Sequence, residues 1–148
     1  MSFAEKCYQV FERATADYHI TDHVNAPINN PYDPALIEYT LYAKNWIDAV
    51  QWHLEDIIRD PQIDPVEALA LKRRIDRSNQ ERTDMVEALD TYFRQKYASV
   101  EPLPGATINT ESPAWALDRL SILALKIYHM RTETERTDAS AEHIAKCG

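Results

Sequence analysis

Glycine is nearly missing: only 2 occur in 148 residues. The tight turns and bulges of a β-rich chain draw on glycine for its freedom at positive φ, so this scarcity turns the reading toward helices. There is no glycine-rich phosphate loop, no HExxH and no EF-hand loop, so the common nucleotide, zinc-protease and calcium signatures are excluded. Cysteine is also scarce. Cys7 and Cys147 lie near opposite ends, and no CxxC or Cys/His ligand spacing exists, which argues against a zinc site. No run of about 18 apolar residues occurs, so no membrane span is expected. The start, "MSFAEKCYQVFERATADYH", is amphipathic and lacks an apolar signal core. A cytoplasmic location with both thiols reduced is the expectation. Basic residues are in deficit, 16 against 24 acidic, for a net charge of −8. Such a chain repels phosphate backbones and anionic bilayers, so neither nucleic acid nor membrane is an expected partner. The cluster Lys72-Arg73-Arg74 is too short to reverse that.

What is present is an ordinary globular composition, 45% hydrophobic and 27% charged, long enough for one domain over residues 1–148 with its own core. Asp33-Pro34, Asp64-Pro65 and Ser112-Pro113 each pair an N-cap acceptor with proline at the first helical position. Glu67, three residues after Asp64, is placed to close a capping box. Helices are predicted at 3–18, 34–59, 65–97, 113–133 and 139–147. The last stops at "AKCG", which leaves open whether the natural chain continues. The expected fold is all-α: an up-down helical bundle of four to five helices, three long ones with N- and C-terminal additions. The segment "PAWALDRLSILALKIYHM" is apolar almost all round, which predicts a central helix or one packed on two sides, the second side being a subunit interface of a homo-oligomer.

The sharpest local question is posed by "DRSNQER", residues 76–82, seven polar residues in the middle of the third helix. At 100° per residue, Leu71, Ile75, Met85, Val86, Leu89 and Phe93 define an apolar stripe. Ser78 and Arg82 continue it and Asn79 lies beside it, so these three are expected to face the core. A buried arginine needs a carboxylate or several carbonyls. The second helix offers them: Trp46, Val50, Leu54 and Ile57 form its core stripe, while Leu41, Asp48, Trp52, Glu55 and Arg59 run along the other side. Asp118 on the fourth helix is a further acid, on a stripe with His129. The plainer reading is a structural network that sets helix register, with Glu55 and Arg59 as an i,i+4 pair. The functional reading is a pocket floored by Ser78, Asn79 and Arg82 and walled by Asp48, Trp52, Glu55 and Asp118. Arginine and asparagine suit a small polar or anionic ligand. No Ser-His-Asp or Cys-His arrangement follows from spacing, and no catalytic residue, metal or cofactor is assigned. The loop residues Asn29, Asn30, Tyr32, Asn109, Thr110 and Glu111 are expected to satisfy turn and helix-end backbone.

The segments "APINNPY", "WIDAVQWHLEDIIRD", "KRRIDRSNQERTDMVE", "ATINTESPAWALDRLSILALKIYHM" and "RTDASAEHIAKC" resemble an uncharacterised bacterial family, a numbered domain of unknown function, from about residue 18 onward. The resemblance implies a cytoplasmic all-helical protein, with genes near those for glycosyltransferases and surface-glycan synthesis. It carries no catalytic roles. A second reading is therefore a non-enzymatic interaction module that docks another protein, an enzyme of glycan assembly among the candidates. A third is a magnesium-dependent all-α nucleotide pyrophosphohydrolase, whose ExxE…ExxD acids are partly echoed by Glu55, Asp56, Glu81 and Asp84. Arg59 stands where the second acid of the first half belongs.

Overall fold

The computed structural model describes residues 1–135 and 141–147. Its elements are helices: α1 (Phe3–Thr21), α2 (Ile37–Ile58), α3 (Pro65–Lys96), α4 (Pro113–Thr134) and the short α5 (Ala141–Cys147). The predicted start of the last helix, at 139, lies outside the described residues. The all-α bundle is as expected, and among the described residues no helix is long and apolar enough to cross a membrane.

Local chemistry sets the helix ends, with differences from the sequence reading. Ser2 caps α1: its hydroxyl accepts from the Glu5 amide while the Glu5 carboxylate accepts from the Ser2 amide, a capping box. Ser112 caps α4 by accepting from the Trp115 amide. Asp33 does not cap α2. Its Oδ1 accepts from Ala35, which forms a turn, and the helix begins only at Ile37 after Leu36, which has no side-chain acceptor to offer. Asp64 precedes α3 but makes no capping hydrogen bond, so the box with Glu67 does not form. The loop asparagines do satisfy backbone: Asn30 donates to the Tyr39 carbonyl and accepts from Tyr32.

Helix direction departs from simple up-down alternation. Lys6 pairs with Glu38, Thr15 with Asn45 and Tyr18 with His53, so α1 and α2 run the same way and the long segment between them is a crossover. On α4, Asp118 meets Lys44, Ser121 meets Asp48 and His129 meets Trp52, so α4 is parallel to α2 as well. The six-residue connection 59–64 is too short for a crossover, and α3 returns antiparallel, with Gln51 on Asn79 and Arg82 reaching Asp118.

The central helix is α2, while α4 meets the other expectation for it, packing on more than one side, against α1, α3 and α2. Between Leu41 and Ala49 only Ala43 and Ile47 escape full burial. Helices α1, α3 and α4 surround it, and Phe11, Ala14, Tyr18, Val86, Leu89 and Leu125 close the apolar core. The fourth helix, which its sequence marks as apolar on most sides, instead leaves Trp115 and Leu123 nearly half exposed. Cys7 is buried in this core, where desolvation pushes its thiol up to about 11 and removes its reactivity.

Candidate functional site

The covering of α2 by α1, α3 and α4 between Leu41 and Ala49 forces three of its polar residues indoors. Lys44, Asn45 and Asp48 occupy one turn of it, all three buried, and Lys44 is 0% exposed. A dry ammonium is tolerated only with close counter-charges. Lys44 Nζ is bonded to Asp48 Oδ2 within α2 and lies 2.8 Å from Asp118 Oδ1 on α4. Asp118 also receives a two-pronged contact from α3: Arg82 Nε donates to Oδ1 at 2.8 Å and Nη2 to Oδ2 at 2.6 Å. Ser121 donates to Asp48 Oδ2 at 2.6 Å and accepts from Asn45 Nδ2 at 2.9 Å, and Asn45 Oδ1 accepts from Thr15 of α1 at 2.7 Å. One network thus ties the four long helices together through a two-against-two balance of charge, Lys44 and Arg82 facing Asp48 and Asp118.

The two carboxylates sit in different fields. Burial pushes Asp48 above the usual carboxylate range, against the opposing pull of Lys44 and Ser121. At Asp118 burial acts the same way but is outweighed by the hydrogen bonds and charges of Arg82 and Lys44, which hold the carboxyl below its usual range. Arg82 is raised in turn, chiefly by its hydrogen bonds to Asp118. Replacing Thr15 with valine removes a donor and strands Asn45 Oδ1. A loss of about 1–2 kcal/mol in urea unfolding is expected.

The network is closed on the protein side and open at Arg82. Its guanidinium side chain is 30% exposed and borders a cavity of about 240 Å³ with Asp48, Gln51, Trp52, Glu55 and Ile122. Among the described residues, nothing accepts from Arg82 Nη1, and Asp48 Oδ1 is buried without a hydrogen bond, 3.8 Å from Arg82 Nε. A donor edge and an acceptor oxygen, each lacking a protein partner, therefore belong to residues that border one small cavity.

The structure brings together five of the seven predicted site residues: Asp48, Trp52, Glu55, Arg82 and Asp118, the last held behind the guanidinium. Ser78 is buried but donates to Gln51 at 3.4 Å and lines a different cavity, so it is not a floor for Arg82. Asn79 is exposed, contrary to the expectation that it faces the core; it accepts from Gln51 at 2.8 Å on the outer surface. Its place beside the apolar stripe proves to be the rim, where the Gln51 side chain of α2 meets it at the surface. The expected Glu55–Arg59 pair is replaced by Arg59–Asp56 at 3.5 Å, one residue tighter on the turn. Arg119 pairs with Glu111 at 2.9 Å. The magnesium arrangement is not assembled: Glu81 and Asp84 are exposed on α3, and Glu81 borders another cavity than Glu55 does. Among the described residues no three His, Cys, Asp or Glu side chains are grouped to hold a metal.

Sequence reasoning missed Lys44, Asn45, Ser121, Thr15 and Gln51. A signal existed for the first: Lys44 lies three residues after Leu41 and four before Asp48, on the stripe that carries Asp48, Trp52 and Glu55. No curated protein and no solved structure matches the chain. A family model does match residues 38–148, beginning at the first turn of α2 rather than in α1. Every charged member of the network, Lys44, Asp48, Arg82 and Asp118, falls within that match, and the chain belongs to the family described as Protein of unknown function (DUF4254).

Proposed function

We propose that this protein binds a small polyhydroxyl ligand, of monosaccharide size, in the cavity beside Arg82. The observation that carries the reading is the orphaned pair on the cavity's lining residues, Arg82 Nη1 as donor and Asp48 Oδ1 as acceptor. A hydroxyl group both accepts and donates: Arg82 Nη1 meets it at the cavity, and Asp48 Oδ1, which has no exposed surface, is reached by a shift of the Arg82 side chain. Trp52 and Ile122 supply an apolar wall for the C–H face of such a ring. The volume, about 240 Å³, falls below the roughly 300–1,000 Å³ of drug-sized sites and suits one small ring.

Charge narrows the ligand class. Arg82 is already neutralised by Asp118, and Lys44 by Asp48, so Glu55 leaves the site with a surplus negative charge. An anion would meet two carboxylates on the cavity wall, and that favours a neutral ligand over an anionic one. No reaction is assigned. The apolar side chains that α4 leaves in water are single ones, of the kind most surfaces carry, and give less support to a docking module.

Saturation-transfer NMR with a panel of neutral monosaccharides, and with inorganic phosphate as the anionic control, tests the reading. Binding of at least one sugar is expected, weakened about tenfold by Arg82→Lys, which loses the planar fork, and by Glu55→Gln to a smaller degree. Phosphate binding more tightly than every sugar would overturn it, as would a panel with no binder.

A further inference from the structure

A second cavity, of about 460 Å³, lies on the other side of Trp52 and is used by none of the foregoing. It sits where the parallel helices α1, α2 and α4 end, and each contributes a histidine: His19, His53 and His129. Four rings form a continuous wall. Tyr128 stacks on His19 at 4.2 Å, His19 meets His129 edge-on at 5.2 Å, and His129 stacks on Trp52 at 4.6 Å.

Hydrogen bonding decides what these rings offer. His19 Nδ1 lies 2.6 Å from the Thr15 carbonyl oxygen, which can only accept, so Nδ1 carries the proton and the neutral ring keeps its lone pair on Nε2. His53 Nδ1 lies 2.8 Å from the Tyr18 hydroxyl, which burial keeps protonated by pushing its ionisation up to about 12. Asp22 and Asp56 add two carboxylates to the lining. Three helix C-termini point their partial negative charge at this end of the bundle. Acceptors and aromatic rings therefore dominate, and among the described residues no lysine or arginine borders the cavity.

We propose that this cavity is a second ligand site, for an organic ammonium ion carried on a flat apolar body. The ring wall offers π faces to the cation and the apolar body, and Asp22 and Asp56 offer the counter-charge. It stands independently of the Arg82 reading and shares only Trp52 with it.

The same geometry makes the site sensitive to acid. Burial, with His19 and His53 nearby, keeps His129 below its ordinary 6.5, against the pull of Asp56 and Asp22. The charged or titratable groups around His129 are thus His19 and Asp22 from α1 and His53 and Asp56 from α2. Once acidification protonates His129 it becomes an internal cation, pairs with the two aspartates and repels the ligand. Binding is accordingly held through the ordinary 6.5 and falls only as pH drops through the lower value of His129.

Isothermal titration of the full chain with benzyltrimethylammonium, and with benzenesulfonate as an anion of similar body, decides the matter. The ammonium probe is expected to bind at about pH 8 and to weaken about tenfold at about pH 5.5. Asp22→Asn and Asp56→Asn should each weaken it about threefold to tenfold at about pH 8. Asparagine tolerates the left-handed backbone of Asp22 (φ 52), so the first variant keeps its helix end. Arg82→Lys, which disturbs the other cavity, should leave this binding unchanged. Three results would each overturn the proposal: tighter binding of benzenesulfonate, no binding of the ammonium probe up to millimolar concentration, or binding indifferent to both aspartate variants.

Discussion

Replacing Lys44 with methionine is expected to cost about 3–5 kcal/mol, the largest loss of any single change in the polar network. The ammonium is 0% exposed and, among the described residues, is the cation hydrogen-bonded to Asp48, with Arg82 Nε standing off at 3.8 Å. Without it two carboxylates, Asp48 and Asp118, remain in the interior with Arg82 alone, and Arg82 already spends two donors on Asp118. Asp48, which burial pushes above the usual carboxylate range even with Lys44 in place, would shift further upward in the variant, because the opposing pull of Lys44 is gone. The matching double variant, Lys44→Met with Asp48→Leu, removes the buried pair as a unit and leaves Asp118 clamped by Arg82. Most of the lost stability should return, because a buried ion pair contributes little beyond a well-packed apolar replacement. Urea unfolding of the wild type, the single and the double variant at neutral pH provides the comparison. A single variant that loses under 1 kcal/mol would mean that water reaches Lys44.

Asp118→Asn is expected to cost about 3 kcal/mol at neutral pH and to change the shape of acid unfolding. The carboxylate is shared by Lys44 and Arg82, on two other helices, so asparagine leaves both cations with one counter-ion, Asp48, between them. In the wild type the folded carboxyl of Asp118 is held below its ordinary 3.8. The native state therefore binds fewer protons there than the unfolded chain does. That contribution is present in full above 3.8 and is lost as pH falls through the lower folded value. Asp48, shifted upward, acts in the opposite sense: its protonation in the folded state favours folding as pH falls. In the variant only the Asp48 effect remains of the two, so the acid-side decline should be shallower. Urea midpoints followed from neutral pH down through 3.8 would show it. An unaltered slope would mean that Asp118 does not titrate as a member of this network.

The part of this site that was legible in the sequence is the part set by helical periodicity. Arg82 follows Ile75 and Ser78 on α3 and precedes Val86 and Leu89, all four buried, so its inward direction could be read from spacing alone. Asp118, four residues from Ala114 and near Leu117 and Ser121, is legible for the same reason. Asn79 shows the limit of that reasoning. An angle of 100° from Ser78 places it at the stripe's edge, and only the position of α2 decides that this edge is surface. Lys44 was overlooked because a lysine with a flexible four-carbon stem is ordinarily assumed to reach water, and here its side chain is turned between α2 and α4 and fully enclosed.

The sequence alone determined the all-α class, the approximate helix spans and the inward aim of Arg82 and Asp118. These depend on near-neighbour geometry: few glycines, proline and serine at helix starts, and apolar residues recurring at the helical period. Only the tertiary structure decided that α1 and α2 run parallel, that α2 rather than α4 is enclosed, and that the carboxylates, Lys44 and Arg82 meet beside a cavity. The physical reason is that a helix's period tells which side chains share a face, while the neighbours that cover each face are fixed by contacts between residues 30 or more positions apart, such as Thr15 with Asn45 and Arg82 with Asp118.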